Sequence, residues 1–309
     1  MSRILVSGLI NLETTLQIDD FPVSYTPVQY PFFGIRSSIS GVGYNVAKAL
    51  ATLGDSVDLL SLIGKDPAGR LIYQVLEEEQ LPAKLVLNRL DQTAQSVIIY
   101  DQGGRRQIHV DLKDIQDNTY PSELFKQALA GCRLAVLCNI NFSRPFLQIA
   151  RLAGIPIATD VHAVSSLDDP YNQEFMANAD ILFMSHEHLS MRVEEWVVRV
   201  FDKFPITLLV IGMGAEGALL GVREPRFIAR IPAVHTRPVV NTIGAGDALF
   251  SSFVHSYLNT GDAYDSIRKA LVFASYKIGE TGAADGFLDP NSLDRLAAKI
   301  WEEYNQDQV

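Results

Sequence analysis

With 309 residues, 48% apolar and 20% charged, the chain is long enough for one large α/β domain or two ordinary ones, and apolar enough to bury a substantial core. Its 36 acidic against 26 basic side chains leave a net charge of −10, which argues against a general nucleic-acid surface and predicts no specific nucleic-acid partner. No apolar run is long enough to cross a bilayer and no secretory or targeting pattern is visible, so a soluble, cytoplasmic protein with no membrane partner is expected.

Ile4-Leu5-Val6-Ser7-Gly8 reads as a buried strand ending in a turn. A segment containing proline and aromatic residues follows as far as Ser40, and a helix is expected over Tyr44–Leu53. Val57–Leu62 returns to strand character, and Pro67 suits the first position of a helix running to Glu79. Ser96–Tyr100 and Gln107–Val110 flank Gly103-Gly104 as a β-hairpin. Further strands are predicted at Leu134–Cys138, Ile157–Thr159, Ile181–Phe183 and Thr207–Ile211, with helices around Pro121–Ala130, Phe146–Ala153 and Met191–Phe204. Cys132 and Cys138 flank one of these strands and are expected as buried thiols, because two cysteines do not make a disulfide framework. The alternation predicts an α/β fold, a predominantly parallel central sheet with flanking helices. Two excursions, 13–39 and 95–111, break the pattern and are expected to form a small noncontiguous β-rich lid, leaving 1–12, 40–94 and 112–309 as the large domain.

The most informative stretch is Asn241-Thr242-Ile243-Gly244-Ala245-Gly246-Asp247, a small-residue turn and a carboxylate ahead of an apolar, helix-like run. Such a turn aims backbone N–H groups at a phosphate, the helix adds a favourable field, and the carboxylate is placed to accept a proton from an attacking hydroxyl. Gly246 and Asp247 alone fit an ordinary glycine turn with an acidic cap equally well. A second small-residue cluster, Ser40-Gly41-Val42-Gly43-Tyr44-Asn45, opens the first helix. There Gly41 and Gly43 would let a ligand approach the backbone, and Asn45 offers it both a donor and an acceptor.

Together, Ser40–Gly54 and the segment ending at Asp247 resemble the two signatures of the ribokinase-like, or PfkB, family of carbohydrate and nucleoside kinases. Gly64-Lys65-Asp66-Pro67-Ala68-Gly69 and Gly103-Gly104-Arg105-Arg106 are similar to family elements in the expected order. The resemblance implies Asp247 as catalytic base, Gly244, Ala245 and Gly246 as the anion hole, and a substrate site at Asn11, Glu13, Gly41, Gly43 and Asn45. It also implies a nucleotide site at Thr242, Gly244, Gly246, Gly214 and Gly217, and dependence on ATP and Mg2+. No metal ligand is assigned. The expected acceptor is a small sugar, with a nucleoside or a catalytically weakened sensor as alternatives. Pairing of exposed lid edges into a homodimer is physically reasonable.

Several positions depart from the family pattern. Asn241 stands where aspartate is frequent, which leaves open the monovalent cation that some relatives hold in this neighbourhood. Glu13 replaces a common aspartate and reaches one methylene farther. Ser185 and His188 stand where asparagine and glutamate are frequent, with Glu187 beside them. His186 and His188 lack the further ligands of a zinc site. Gly212-Met213-Gly214-Ala215-Glu216-Gly217 satisfies a dinucleotide-binding spacing, but Ala218–Val222 continues as a strand where that motif requires a helix. Arg105 and Arg106 suit either a clamp on substrate oxygens or an exposed hairpin, and Asp66 either a ligand contact or a local turn. Asp160 and His162 receive no assignment. Phe21, Tyr30, Phe32 and Phe33 are candidates for a nucleoside base pocket or for the apolar face of the lid.

Overall fold

The computed structural model describes residues 2–306. In chain order the first half contains β1 (Arg3–Ser7), β2 (Asn11–Gln17), β3 (Ile35–Ser40), α1 (Val42–Thr52), β4 (Ser56–Gly64), α2 (Pro67–Glu78), β5 (Val86–Leu90), β6 (Gln95–Tyr100) and β7 (Arg106–Asp111). There follow α3 (Ser122–Leu129), β8 (Leu134–Leu137), α4 (Arg144–Leu152), β9 (Ile157–Ala163), α5 (Gln173–Asn178), β10 (Ile181–Ser185), α6 (Val193–Lys203), β11 (Leu208–Gly212), β12 (Ala218–Val222) and β13 (Phe227–Ile231). The chain then ends in α7 (Ala245–Thr260), α8 (Ala263–Lys277) and α9 (Pro290–Gln306).

Nine strands form the central sheet in the order β13-β12-β11-β10-β9-β8-β1-β4-β5. Pairing is parallel from β5 across to β11 and antiparallel at β12 and β13, so the expected parallel sheet carries an antiparallel edge. Its strands read as continuous apolar runs because both faces are covered. Successive side chains alternate between two cores. Ile4, Val6, Ile181, Phe183, Leu208 and Val210 pack toward α1, α7 and α8, whereas Leu5, Leu182, Met184, Leu209 and Ile211 pack toward α3, α4 and α6. Cys132 and Cys138 are buried free thiols, as their apolar surroundings predict.

The second sheet has four strands in the order β3-β2-β6-β7. β2 pairs antiparallel with β3 and parallel with β6, and β6 turns through Gly103-Gly104 to pair antiparallel with β7. A parallel neighbour requires a crossover, and here it runs through α1, β4, α2 and β5 of the large sheet. This is why the small sheet is noncontiguous in sequence. Its entry point is pinned by Asp66, which caps α2 through the Gly69 N–H at 2.8 Å and also accepts from the Thr93 N–H at 2.9 Å and hydroxyl at 2.6 Å. Asp66 therefore holds a local turn.

Candidate active site

Parallel strands bring their C-terminal ends to one edge of the sheet, the edge where α/β proteins bind ligands. Here that edge is roofed by the small sheet. Alternation along β2 turns Asn11, Glu13 and Thr15 inward, while Leu12, Thr14 and Leu16 lie on the other face. The same rule turns Ser96, Ile98 and Tyr100 of β6 inward. Ile98 and Tyr100 close against Ile243 and Ala283 of the large domain, so the lid rests on the glycine turn through a small apolar contact.

A continuous polar network runs from the lid to that turn. The Ser40 hydroxyl donates to Glu13 Oε2 at 3.0 Å and lies 3.4 Å from Asn45 Oδ1. Asn45 Nδ2 donates to Asp247 Oδ2 at 2.6 Å. Asn11 Nδ2 donates to the Ser96 hydroxyl at 2.9 Å. Glu13, Ser40 and Asn45, from separate parts of the chain, are thereby joined to Asp247, while Asn11 and Ser96 form a separate pair on the lid. Two acceptors on β2, Asn11 Oδ1 and Glu13 Oε1, are buried without a protein partner. Leaving such atoms dry costs free energy, so they point to a ligand or water that donates to them.

Charge is equally concentrated. Burial pushes the Asp247 carboxyl up to about 6; the Asn45 N–H and the neighbouring His162 and Lys277 oppose that rise, and Asp160 adds to it. Burial also raises Glu13, against the Ser40 hydrogen bond. Asp160 and His162, which sequence left unassigned, stand at the end of β9 close enough to act on Asp247. Asp160 Oδ1 accepts from the His162 N–H at 2.8 Å, and His162 adopts a positive φ of 56°. Beneath them burial, with Asp247 and Asp160, keeps the Cys138 thiol protonated. Lys277 is a site component that sequence reasoning missed. It closes α8, is fully buried, and donates to the carbonyl of Ile243 in the glycine turn. Its signal was available, because Ala270, Phe273 and Lys277 follow the helical spacing of a buried stripe.

The turn itself is tightly determined. Gly244 has φ 75°, and a Cβ there would sit 2.2 Å from the Ala283 carbonyl oxygen. No side chain caps α7, so the N–H groups of its first turn face the cleft without an intrahelical acceptor. Gly246 has no heavy atom within 4 Å of a would-be Cβ, which leaves open space beside those donors. Ala245 N–H bonds back to the Thr242 carbonyl at 3.3 Å. Asn241 is 2% exposed; its amide donates to the Thr281 carbonyl at 2.9 Å and accepts from the Ile243 N–H at 3.0 Å.

Gly41 and Gly43 are also constrained by the fold itself. A Cβ on Gly41 would lie 2.6 Å from the Leu9 carbonyl oxygen, and one on Gly43 2.5 Å from the Gly8 carbonyl carbon. Their smallness lets α1 start against the β1–β2 turn. Gly214 and Gly217 form the tight connection between β11 and β12; a Cβ on Gly217 would meet the Ile231 carbonyl oxygen at 2.1 Å, whereas Gly214 faces open space. The dinucleotide-like spacing is a β-turn-β unit, as its continuation predicts. Tyr30, Phe32 and Phe33 build neither a base pocket nor an apolar lid face, being 76%, 84% and 105% exposed, whereas Phe21 lines a cavity beside the lid turn. Arg105 pairs within the lid to Asp101 and Asp20, while Arg106 reaches Thr242. A cavity of about 590 Å³ lies between that lid turn and Glu187. His188 is exposed with φ 71°, and the Ser185 hydroxyl accepts the Glu187 N–H at 3.2 Å.

A two-sheet α/β body with a glycine turn, a helix N-terminus and a raised carboxyl at the sheet edge defines a phosphotransferase class. The comparisons give its family: the profile of the pfkB family carbohydrate kinases matches residues 1–290, and the chain belongs to that family of ATP-dependent kinases. It is 26% identical over 299 residues to an acarbose 7(IV)-phosphotransferase of Actinoplanes, covering 96% of this chain and 98% of the relative. It is 32% identical over 302 residues to a deoxyribokinase of Salmonella typhi, covering 92% and 94%. A solved microbiome-derived acarbose kinase superposes with a TM-score of 0.86 at 25% identity, over 96% of this chain and 99% of that one. Among the described residues no helix is long and apolar enough to cross a membrane.

Proposed function

We propose that this kinase transfers the γ-phosphoryl group of ATP to a hydroxyl of a sugar. The observation that carries this reading is the pair of buried, unpartnered acceptors, Glu13 Oε1, linked to Asp247 through Ser40 and Asn45, and Asn11 Oδ1, two residues along the same strand. Both call for hydroxyl donors, and a polyol brings several on adjacent carbons. The carbohydrate acceptors named for the relatives agree with it. Exposure of Tyr30, Phe32 and Phe33 weighs against the nucleoside alternative, and the joined Asp247, Asn45 and helix N-terminus weigh against a binding-only sensor.

In this reading Glu13 and Asn11 fix the sugar, and Asn45 holds Asp247 in the orientation from which its carboxylate takes the proton of the attacking hydroxyl. The N–H groups of Gly244 and Gly246 stabilise negative charge as it develops on the phosphoryl oxygens, while the Ala245 N–H, bonded to Thr242, holds the turn in shape. Thr242 and the space beside Gly246 would receive the nucleotide phosphates, and Gly214 would border the nucleotide. The donors at the turn are backbone N–H groups, and among the described residues no three His, Cys, Asp or Glu side chains converge. Magnesium would therefore be held mainly through the nucleotide's own oxygens, where it neutralises phosphate charge. Closing the lid removes water from this assembly. The outer edge of β7 is exposed, with Ile108 and Val110 half-exposed, and would pair with a second copy of the lid.

The test is to incubate the protein with Mg·ATP and separate pools of sugars and nucleosides, and to identify any phosphorylated product by mass. A sugar phosphate is expected. Phosphorylation of nucleosides alone, or of nothing despite ATP binding, would reject the reading.

A further inference from the structure

Lys277 is the one lysine on the described chain placed at the centre of the site, and it is completely buried. An ammonium without water is costly unless its position is useful or its charge is matched. Burial does lower its pKa, to about 8, and the pull of Asp247, Asp285, Glu13 and Glu280 only partly offsets that fall. Those four carboxyls act through space; the hydrogen bond goes instead to a neutral atom, the Ile243 carbonyl oxygen. That oxygen belongs to the peptide unit whose N–H is the Gly244 N–H, the first donor of the phosphate turn. An ammonium on the oxygen polarises the whole amide, so it both pins the turn and strengthens the donor on its far side.

The same contact bears on the monovalent cation that some family members hold near the position of Asn241. Such an ion needs oxygen ligands and tolerates no positive charge beside it. Here the Ile243 carbonyl accepts from Lys277, the Thr281 carbonyl accepts from the Asn241 amide, and Asn241 supplies no negative charge. The residues present do not fit an exchangeable cation.

We propose that Lys277 is a built-in cation and a positioning residue of the phosphate turn, and that it makes nucleotide binding and phosphotransfer indifferent to potassium. The activity half of this proposal rests on the kinase reading above, so the deciding experiment also follows Mg·ADP binding by calorimetry, which needs no acceptor. Measurements are made in equal concentrations of tetramethylammonium, sodium, ammonium and potassium chloride. The parent protein should bind Mg·ADP, and turn over whatever acceptor is found, equally in all four within about twofold. Lys277→Ala should lose at least about tenfold in tetramethylammonium, as expected when an anion-hole donor is misplaced, and regain much of it with ammonium or potassium. Lys277→Met, which fills the space, should lose as much and regain nothing. That contrast separates a charge from a packing role. Several-fold potassium activation of the parent overturns the proposal, as does a folded Lys277→Ala protein that binds like the parent or is rescued by neither ion. If Lys277→Ala does not fold, the parent's response to the four salts decides alone. If no acceptor is ever phosphorylated, the kinase reading fails while the ADP binding data still judge Lys277.

Discussion

The turn that opens α7 and the small sheet that roofs it face each other across one cleft, but they are held in different ways. The turn is fixed from every side: Asn241 ties it to Thr281, Lys277 to α8, Asn45 to α1, and the Ala283 backbone leaves Gly244 no room for a side chain. The lid touches the body through Ile98 and Tyr100, through Arg106 on Thr242, and through Arg36 on Asp285 at 2.6 Å, while β7 is exposed along its length. It also carries the unpartnered atoms of Asn11 and Glu13. In the proposed mechanism, the part that would stabilise transferring charge is preorganised before any ligand arrives. The part that would recognise the acceptor is left to be completed by it.

The largest expected effect tests the preorganised side. Asp247→Asn should lower turnover roughly 10²–10⁴-fold while Mg·ATP still binds, because only proton acceptance is removed. An unchanged kcat would break the assignment. The pH dependence sharpens it. With the Asp247 carboxyl pushed up to about 6, the base is lost below that pH, and kcat/KM should fall about tenfold per pH unit on the acid side. Stability runs the other way. A carboxyl whose pKa is raised on folding favours the fold at low pH, and that contribution is lost as pH rises through about 6. At neutral pH the substituted protein should therefore melt no lower than the parent. A clear drop in Tm would mean that Asp247 is chiefly a structural partner of Asn45.

Glu13→Gln addresses the lid. Losing a charge-assisted bond to a hydroxyl should cost roughly 1–3 kcal/mol in kcat/KM for the acceptor, with Mg·ATP affinity nearly unchanged. If nucleotide affinity falls as much as acceptor use, the division between a preorganised turn and a ligand-completed lid is wrong.

Gly246→Ala probes the open space beside the turn. Nothing lies within 4 Å of the added methyl, so the fold should be unaffected. Phosphate oxygens would occupy that space, so Mg·ATP binding should weaken by about tenfold, the factor that about 1.4 kcal/mol represents. A variant that binds ATP like the parent would place the nucleotide elsewhere.

These residues also mark what could be read from sequence. The turn was legible because its resemblance to a family signature came together with a second one at Ser40–Gly54; alone it would have passed for a glycine turn with an acidic cap. β1, β4 and β8 to β11 were legible as apolar runs too short for helices. β5 and β13 were missed: each mixes exposed with buried positions over five residues, and neither shows a clean period. For Gly41 and Gly43 the sequence suggested only room for a ligand; the backbone crossing at Gly8 and Leu9, which also requires their smallness, is encoded by no local pattern. Lys277 lay on a readable stripe; its partner lies 34 residues away in a turn that only the fold brings near.

The smallest effect belongs to Arg106, and it tests how the two regions communicate. Its guanidinium reaches Thr242 from the lid turn, 136 residues away in sequence, at an exposed position where water competes for the contact. Exposed polar contacts of this kind are worth roughly 0–1 kcal/mol. Arg106→Ala should therefore leave Tm within error. If the contact helps to hold the lid shut over the nucleotide, the same variant should raise KM for the acceptor by a few-fold and speed nucleotide release, with kcat nearly unchanged. A loss confined to kcat would instead make Arg106 part of the charge-stabilising machinery. Unchanged kinetics would mean that Ile98 and Tyr100, packed on Ile243 and Ala283, hold the lid together with Arg36 on Asp285 and without help from Arg106.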